Sequence, residues 1–404
     1  MPAIDPAVLQ AIVDRALRDA TEGDDLGVVL AGVCEGLAAA GVPIWRGSLG
    51  MRAIDPTVRA MAVFWRQDRG VAAERTSHSE GEAQYRRSPI SYLQDRGLLV
   101  HRWRLESGEG CQAYPILNDL RGEGATDYLM WLVRFGGLTA SAMPGVAISI
   151  ATKRPGGFTD DEIARFAAVL PALGLACYRI SLSRTAGDLL SVYLGPMTAG
   201  RVLTGEAQRG IGRSVTAAIL LADLRDFTAL ASREDPLRVV GWLDEHFEAL
   251  GGPIAERNGE VLKFLGDGLL AVFPAGDLES AGADACGRAL AAAEEALERT
   301  AALNARRRAA GQPELDLDVV LHIGEVVYGN VGAARRLDFT VIGRAVNEAS
   351  RVESLCRELG RNLLLTAPFA ALCGRESVSL GRFALRGIKN PIEVAVPLAP
   401  GSRT

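Results

Sequence analysis

Glu260-Val261-Leu262-Lys263-Phe264-Leu265-Gly266-Asp267-Gly268-Leu269-Leu270-Ala271-Val272-Phe273 is the stretch from which the C-terminal half can be read. Two short runs of apolar residues flank Gly266-Asp267-Gly268, the pattern of two strands joined by a hairpin turn. Upstream, Asp235-Pro236 predicts a helix start, an N-cap carboxylate followed by proline at the first helical position. Leu237, Val240, Leu243, Phe247, Leu250 and Ile254 then keep one apolar face, and Asn258-Gly259 closes the helix. Before it, Thr216–Leu221 reads as a buried strand that ends in Asp223. Downstream come an alanine-rich helix from about Ala283 to Ala309 and a strand over Leu317–Ile323. The order β-α-β-β-α-β is the split βαβ, or ferredoxin-like, arrangement. Beyond it, Thr340-Val341-Ile342-Gly343 ends a further strand and Arg344–Leu359 reads as a helix.

Two carboxylates fall where such a fold exposes them, Asp223 at the end of the first strand and Asp267 at the hairpin tip. The first strand lies beside the hairpin in this topology, so the two can converge. Paired carboxylates suit a two-metal phosphoryl-transfer site, because hard divalent ions take oxygen ligands and share the substrate's phosphates. Taken singly, Asp223 could cap the next helix and Asp267 could merely turn the hairpin. Asn347 and Arg351 stand four residues apart and share a helix face. An amide and a guanidinium displayed together suit a ribose and a polyphosphate. A solvated face, with Arg351 paired to Glu348 or Glu358, is the alternative.

Read together, these segments resemble the class III nucleotidyl cyclases over about residues 214–398. The matching stretches are Ala222-Asp223-Leu224-Arg225-Asp226-Phe227-Thr228, Lys263–Gly268, Leu321-His322-Ile323-Gly324 with Tyr328-Gly329-Asn330-Val331-Gly332, and Phe339–Arg351. The resemblance implies that Asp223 and Asp267, with the Leu224 carbonyl assisting, hold two Mg²⁺ or Mn²⁺ ions. It implies that Lys263 and Thr340 read the purine, the threonine resembling the subgroup called class IIIb. Phe227 and Thr228 would lie at the substrate, Asn347 would orient the ribose, and Arg351 would stabilise charge on the phosphates. Arg386 or Lys389 would supply a further basic phosphate contact. The implied reaction is adenylate cyclase: ATP to 3′,5′-cyclic AMP and pyrophosphate, at composite sites of a homodimer. Asp318 departs from the family, since many relatives carry an arginine four positions before the histidine at 322. His322 itself reads as a packed strand residue. A guanylate cyclase of the same fold and an inactive dimerising module are the rival readings. Lys263 argues against the first, because a lysine can donate to adenine N1, and the complete residue set argues against the second.

The remainder predicts an N-terminal regulatory unit over 1–178 and a helical connector over 179–213, ahead of the catalytic domain at 214–398. Residues 1–40 carry two helical apolar patterns; Ala60–Trp65, Tyr128–Phe135 and Val146–Ala151 read as strands. Thr159 and Glu162 have capping-box spacing ahead of an apolar helix. The ending from Val146 to Leu175 resembles the close of a GAF-type sensory domain, implying an α/β fold and an unidentified small-molecule or protein regulator. In the connector, Gly195-Pro196 interrupts one helix and Met197–Arg209 can form a second. The fold class expected is therefore α+β in the cyclase domain, with an α/β GAF-like domain and a helical connector. The 404 residues are 48% apolar and 23% charged, with net charge −5, which argues against nonspecific nucleic-acid binding. Six scattered cysteines without a CxxC pair point to a reducing compartment. With no signal-peptide pattern and a glycine- and proline-broken stretch at 135–152, the expectation is a cytoplasmic chain without a membrane span.

Overall fold

The computed structural model describes residues 6–53, 58–137, 143–206, 208, 210, 212–275, 281–333 and 336–398, apart from the side chains of 78–80 and 83. Residues 138–142 of the uncharged stretch, and Arg209 at the expected end of the second connector helix, lie outside them. The chain divides into two compact units, Met1–Leu189 and Leu190–Thr404.

In the N-terminal unit the elements are α1 (Pro6–Glu22), α2 (Leu26–Ala39), β1 (Arg46–Arg52), β2 (Val58–Arg66), β3 (Gly70–Ser77), α3 (His78–Arg86), α4 (Pro89–Asp95), β4 (Val100–Arg104), α5 (Pro115–Gly122), β5 (Asp127–Arg134), β6 (Gly145–Thr152) and α6 (Asp160–Leu194). The strands form one antiparallel sheet in the order β3-β2-β1-β6-β5-β4. Alternation along each strand sends Leu49, Val63, Trp131 and Ile148 into a core with α1, α2 and α6. Residues of the opposite parity, Tyr128, Met130 and Ala147 among them, join Leu93 and Leu117 in a second core. Thr159 and Glu162 form the capping box: the Glu162 carboxylate accepts from the Thr159 N–H (2.8 Å), and the Thr159 hydroxyl accepts from the Glu162 N–H (3.3 Å). The helix they start, α6, is long and apolar enough to cross a membrane, yet over half of its most apolar stretch is buried inside the protein. Phe166, Val169, Leu173, Cys177 and Ile180 face the first core, so its apolar content has a local use.

The C-terminal unit continues with α7 (Pro196–Leu203), β7 (Gly212–Leu224), α8 (Phe227–Ala231), α9 (Pro236–Glu256), β8 (Glu260–Leu265), β9 (Gly268–Pro274), α10 (Ala281–Ala309), β10 (Leu317–Ala333), β11 (Arg336–Ile342), α11 (Arg344–Leu359), β12 (Leu363–Thr366), α12 (Ala367–Ala370), β13 (Ser377–Phe383) and β14 (Ile392–Pro397). Its sheet runs β13-β14-β12-β10-β7-β9-β8, with β11 paired to β10. The stretch β10-β7-β9-β8, with α9 and α10 as crossovers, is the split βαβ expected from the sequence. α9 begins as anticipated, the Asp235 carboxylate accepting from the Leu237 N–H at 2.9 Å. Three elements differ in length. β7 starts at Gly212, four residues early, because Arg213 and Ser214 pair with the far end of β10. β10 runs on to Ala333, and α7 stops at Leu203, where Gly205 takes a left-handed φ of +98°.

Two polar devices stitch the unit. The buried Glu260 carboxylate, at the start of β8, accepts from the Thr198 N–H of α7 (2.9 Å) and the Tyr328 hydroxyl of β10 (2.8 Å). The Tyr328 and Thr198 hydroxyls lie 2.6 Å apart. His246 on α9 is fully buried and lies near the Asp267 carbonyl without a well-formed hydrogen bond. Burial pushes its pKa from 6.5 down to about 4. The unfolded chain therefore binds a proton that the folded chain refuses, and stability falls as the pH drops through that window. Between pH 7 and pH 5 this group should cost about 2 kcal/mol. Urea titrations at the two pH values should show His246→Leu losing less stability than the parent by that amount.

Candidate active site

β7 lies between β10 and β9, and Ala222 is in register with Leu269. That pairing brings the Gly266-Asp267-Gly268 turn against the end of β7. A Cβ on Gly268 would sit 2.7 Å from the Ala222 carbonyl oxygen and 2.7 Å from Asp223 Oδ1. Only glycine permits this approach, and Gly266 turns the chain with a φ of +75°. Asp267 is thereby set beside Asp223. The half-buried Asp223 carboxyl is pushed up to about 7, by burial first and then by the Asp267 and Glu353 charges, while the Leu224 N–H pulls the other way.

Two further acids border the pair. Asp318, opposite Asp223 on β10, is buried and held by the Arg225 guanidinium, with Nη2 to Oδ1 at 2.5 Å and Nε to Oδ2 at 3.1 Å. Its charge is thus compensated from within the chain. Glu353 on α11 is raised by burial, then by Asp318 and Asp267. Among the described residues no set of three or more His, Cys, Asp or Glu is arranged around one ion. The donor chemistry nevertheless fits divalent cations, since close carboxylate oxygens repel one another until a positive charge intervenes.

The expected purine-reading residues lie on neighbouring strands. Lys263 of β8 ion-pairs with Asp338 of β11, and Thr340, two residues further on, is buried in the β10–β11 ladder opposite Gly329. Asp338 was not anticipated; its alternation with Thr340 along one strand is the signal that could have found it. Asn347 and Arg351 are both exposed on α11, one turn apart. Glu348 is taken by Arg344 (2.6 Å) and lies 3.4 Å from His322, so the alternative pairing of Arg351 with Glu348 is not formed. The Arg351 guanidinium has no ion-pair or hydrogen-bond partner among the described residues. Glu353 lies two residues, or about 200°, further round the helix. The Asn347–Arg351 face therefore points away from the carboxylates of its own chain. His322 is buried, its Nδ1 2.8 Å from the Thr366 hydroxyl, the packed strand residue expected.

The remaining candidates spread out. The Phe227 ring is buried with Leu224, Trp242, Leu303 and Leu315, which leaves its backbone rather than its ring open to a ligand. Thr228 is exposed beside it. Arg386 and Lys389 are both exposed on the loop between β13 and β14.

Residues 211–387 match the family described as the adenylate and guanylate cyclase catalytic domain. The C-terminal unit is a class III nucleotidyl cyclase domain. The chain is 34% identical over 154 residues to adenylate cyclase 1 of Rhizobium meliloti, a match covering 38% of this chain and 23% of that protein. It is 33% identical over 152 residues to an adenylate cyclase of Anabaena cylindrica, covering 37% and 29%. The chain thus spans less than a third of the length of either relative. Among solved structures, the guanylyl cyclase Cya2 is 26% identical, with 46% of this chain and 92% of that chain covered and a TM-score of 0.41.

In this cyclase domain the approach at Gly268 makes a direct prediction. Gly268→Ala should force the hairpin turn away from Asp223 and lower nucleotide cyclisation by roughly a hundredfold, the scale of an ångström-sized displacement of a reacting group. Turnover assays on the purified variant, with circular dichroism to confirm the fold, check it.

Proposed function

We propose that the chain is an adenylate cyclase, converting ATP to 3′,5′-cyclic AMP and pyrophosphate at sites shared between two copies, under control of the N-terminal unit. The observation that carries this reading is the convergence of Asp223 and Asp267 at one end of β7. Asp223, Asp267 and the Leu224 carbonyl would hold two Mg²⁺ or Mn²⁺ ions, their other ligands coming from substrate phosphates and water. Such ions, when bound, neutralise phosphate charge and ease loss of the ribose 3′-hydroxyl proton.

The protein's own part is positioning and charge placement. The 3′-oxygen bonds to the α-phosphorus, the bond to the β-phosphate bridging oxygen breaks, and the hydroxyl proton passes to solvent. Asn347 orients the ribose so that this oxygen is in line. Arg351 offers paired N–H donors to the phosphate oxygens as charge builds on them. Lys263 donates to adenine N1, an acceptor; guanine carries a hydrogen there, so two donors would oppose each other. Asp338 keeps the Lys263 ammonium aimed, and the Thr340 hydroxyl can accept from the adenine amino group. Because Asn347 and Arg351 face away from the carboxylates of their own chain, a second copy supplies them. Exposed Phe264 and Leu265 on β8, with Val331 and Leu337 on the β10–β11 ribbon, support such an association.

Purified protein with Mn²⁺ should convert ATP with a kcat/KM at least about tenfold above that for GTP, the scale of one hydrogen bond gained against one opposed. Equal or reversed rates would remove the purine assignment. In a second experiment, Asp223→Ala and Arg351→Ala proteins, each inactive alone, should regain activity on mixing through one intact composite site. Activity that stays absent in the mixture, with both proteins folded and dimeric, would count against the shared site.

A further inference from the structure

The N-terminal unit contains a cavity of about 550 Å³ between the sheet and the α3–α4 segment, a size typical of small-molecule sites. Its floor follows from the strand register. Gly50 of β1 pairs with Ala62 of β2 on one side and Ala147 of β6 on the other, and Ala147 pairs with Leu132 of β5. These residues share one face of the sheet, and a run of three small ones leaves room above it. Among the described residues, a Cβ on Gly50 would come within 4 Å of the Ile90 side chain alone, at 3.8 Å.

Two residues along the strands, the same face carries Arg52 on β1 and Arg134 on β5, each lining the cavity. Between them runs β6, where Gly145 pairs with Arg134 and has no side chain to fill the gap. Two inter-strand steps separate the arginine backbones by about 10 Å, a span that two long side chains can close around one head group. Neither guanidinium is paired with a carboxylate among the described residues. A third arginine in the lining, Arg59, is held by Glu82 at 2.5 Å. Among the described residues no aspartate or glutamate lines the cavity, while Gln84, Ser88 and Gln94 add polar groups on the helical side.

We propose that this cavity binds an amphipathic organic anion, its apolar body over the Ala62–Gly50–Ala147 floor and its anionic head between Arg52 and Arg134. The shared chemistry is a carboxylate, sulfonate or phosphate on a flat apolar frame. This inference is independent of catalysis in the C-terminal unit, so binding is measured without substrate.

The test uses full-length protein and two fluorescent probes of one shape, anionic anilinonaphthalenesulfonate and neutral N-phenyl-1-naphthylamine. The parent should bind the sulfonate at one site per chain, at least about tenfold tighter than the neutral probe. Arg52→Gln combined with Arg134→Gln should weaken the sulfonate tenfold or more and leave the neutral probe within twofold. Both arginines are exposed, so this variant should keep the parent's circular dichroism and melting temperature. Ala62→Phe, which fills the floor, should abolish binding of both. Equal affinity for the two probes in the parent, or an unchanged sulfonate affinity in either variant, overturns the proposal.

Discussion

A pair of like charges held together in a half-buried corner opposes folding, and the C-terminal unit is organised around tolerating one. Asp223 and Asp267 meet because β7 pairs with β9 in a register that apolar residues dictate. Leu220 and Ala222 sit in one core, Ile219 and Leu221 in the other, and a one-residue slip would invert them all. The turn cannot retreat, since it is two glycines and an aspartate long. Gly268 removes the one atom that would keep the chains apart. The repulsion is then a property of the register, and a divalent cation held there would relieve it.

Helix α11 presents two chemically different sides. One side carries Glu353 toward the acids and packs Ala345, Ala349, Val352 and Cys356 onto the sheet. The other displays Asn347 and Arg351, whose side chains have no hydrogen-bond or ion-pair partner among the described residues. A helix cannot turn both sides to the same place, so Asn347 and Arg351 do not face the acids that Glu353 approaches. The Arg225–Asp318 pair belongs to the same logic. A buried carboxylate at position 318 would add to the repulsion at Asp223, and the fork of Arg225 compensates it.

Much of this was legible because hairpin turns, helix caps and apolar periods are local. The Asp235-Pro236 start, the Gly266–Gly268 turn and the Thr159–Glu162 box all stand where spacing put them. What escaped was long-range. The strand expected over Leu317–Ile323 continues as β10 to Ala333, through Gly324, Gly329 and Gly332. In the structure Gly324 stays extended, and a Cβ there would lie 2.7 Å from Ala345 Cβ, so it marks where α11 presses on the strand. β3, exposed along most of its length, carries too little apolar alternation to declare itself. Asp338 and Glu353 escaped for a related reason. Each matters through a partner on another element, Lys263 or Asp267, and no window of sequence contains both.

A second close approach inside the C-terminal unit also depends on a glycine. Helix α6 is capped at one end by the Thr159–Glu162 box and buries its middle in the N-terminal core. It ends at Gly195, with a φ of +87°, where a Cβ would lie 2.2 Å from Glu260 Oε1. Glu260 in turn receives the Thr198 N–H and the Tyr328 hydroxyl, and it stands three residues before Lys263 on β8. Gly195 therefore lies against a buried carboxylate that accepts two hydrogen bonds and leaves no room for a side chain. A side chain at position 195 would have to break those hydrogen bonds or displace β8, and Lys263 with it.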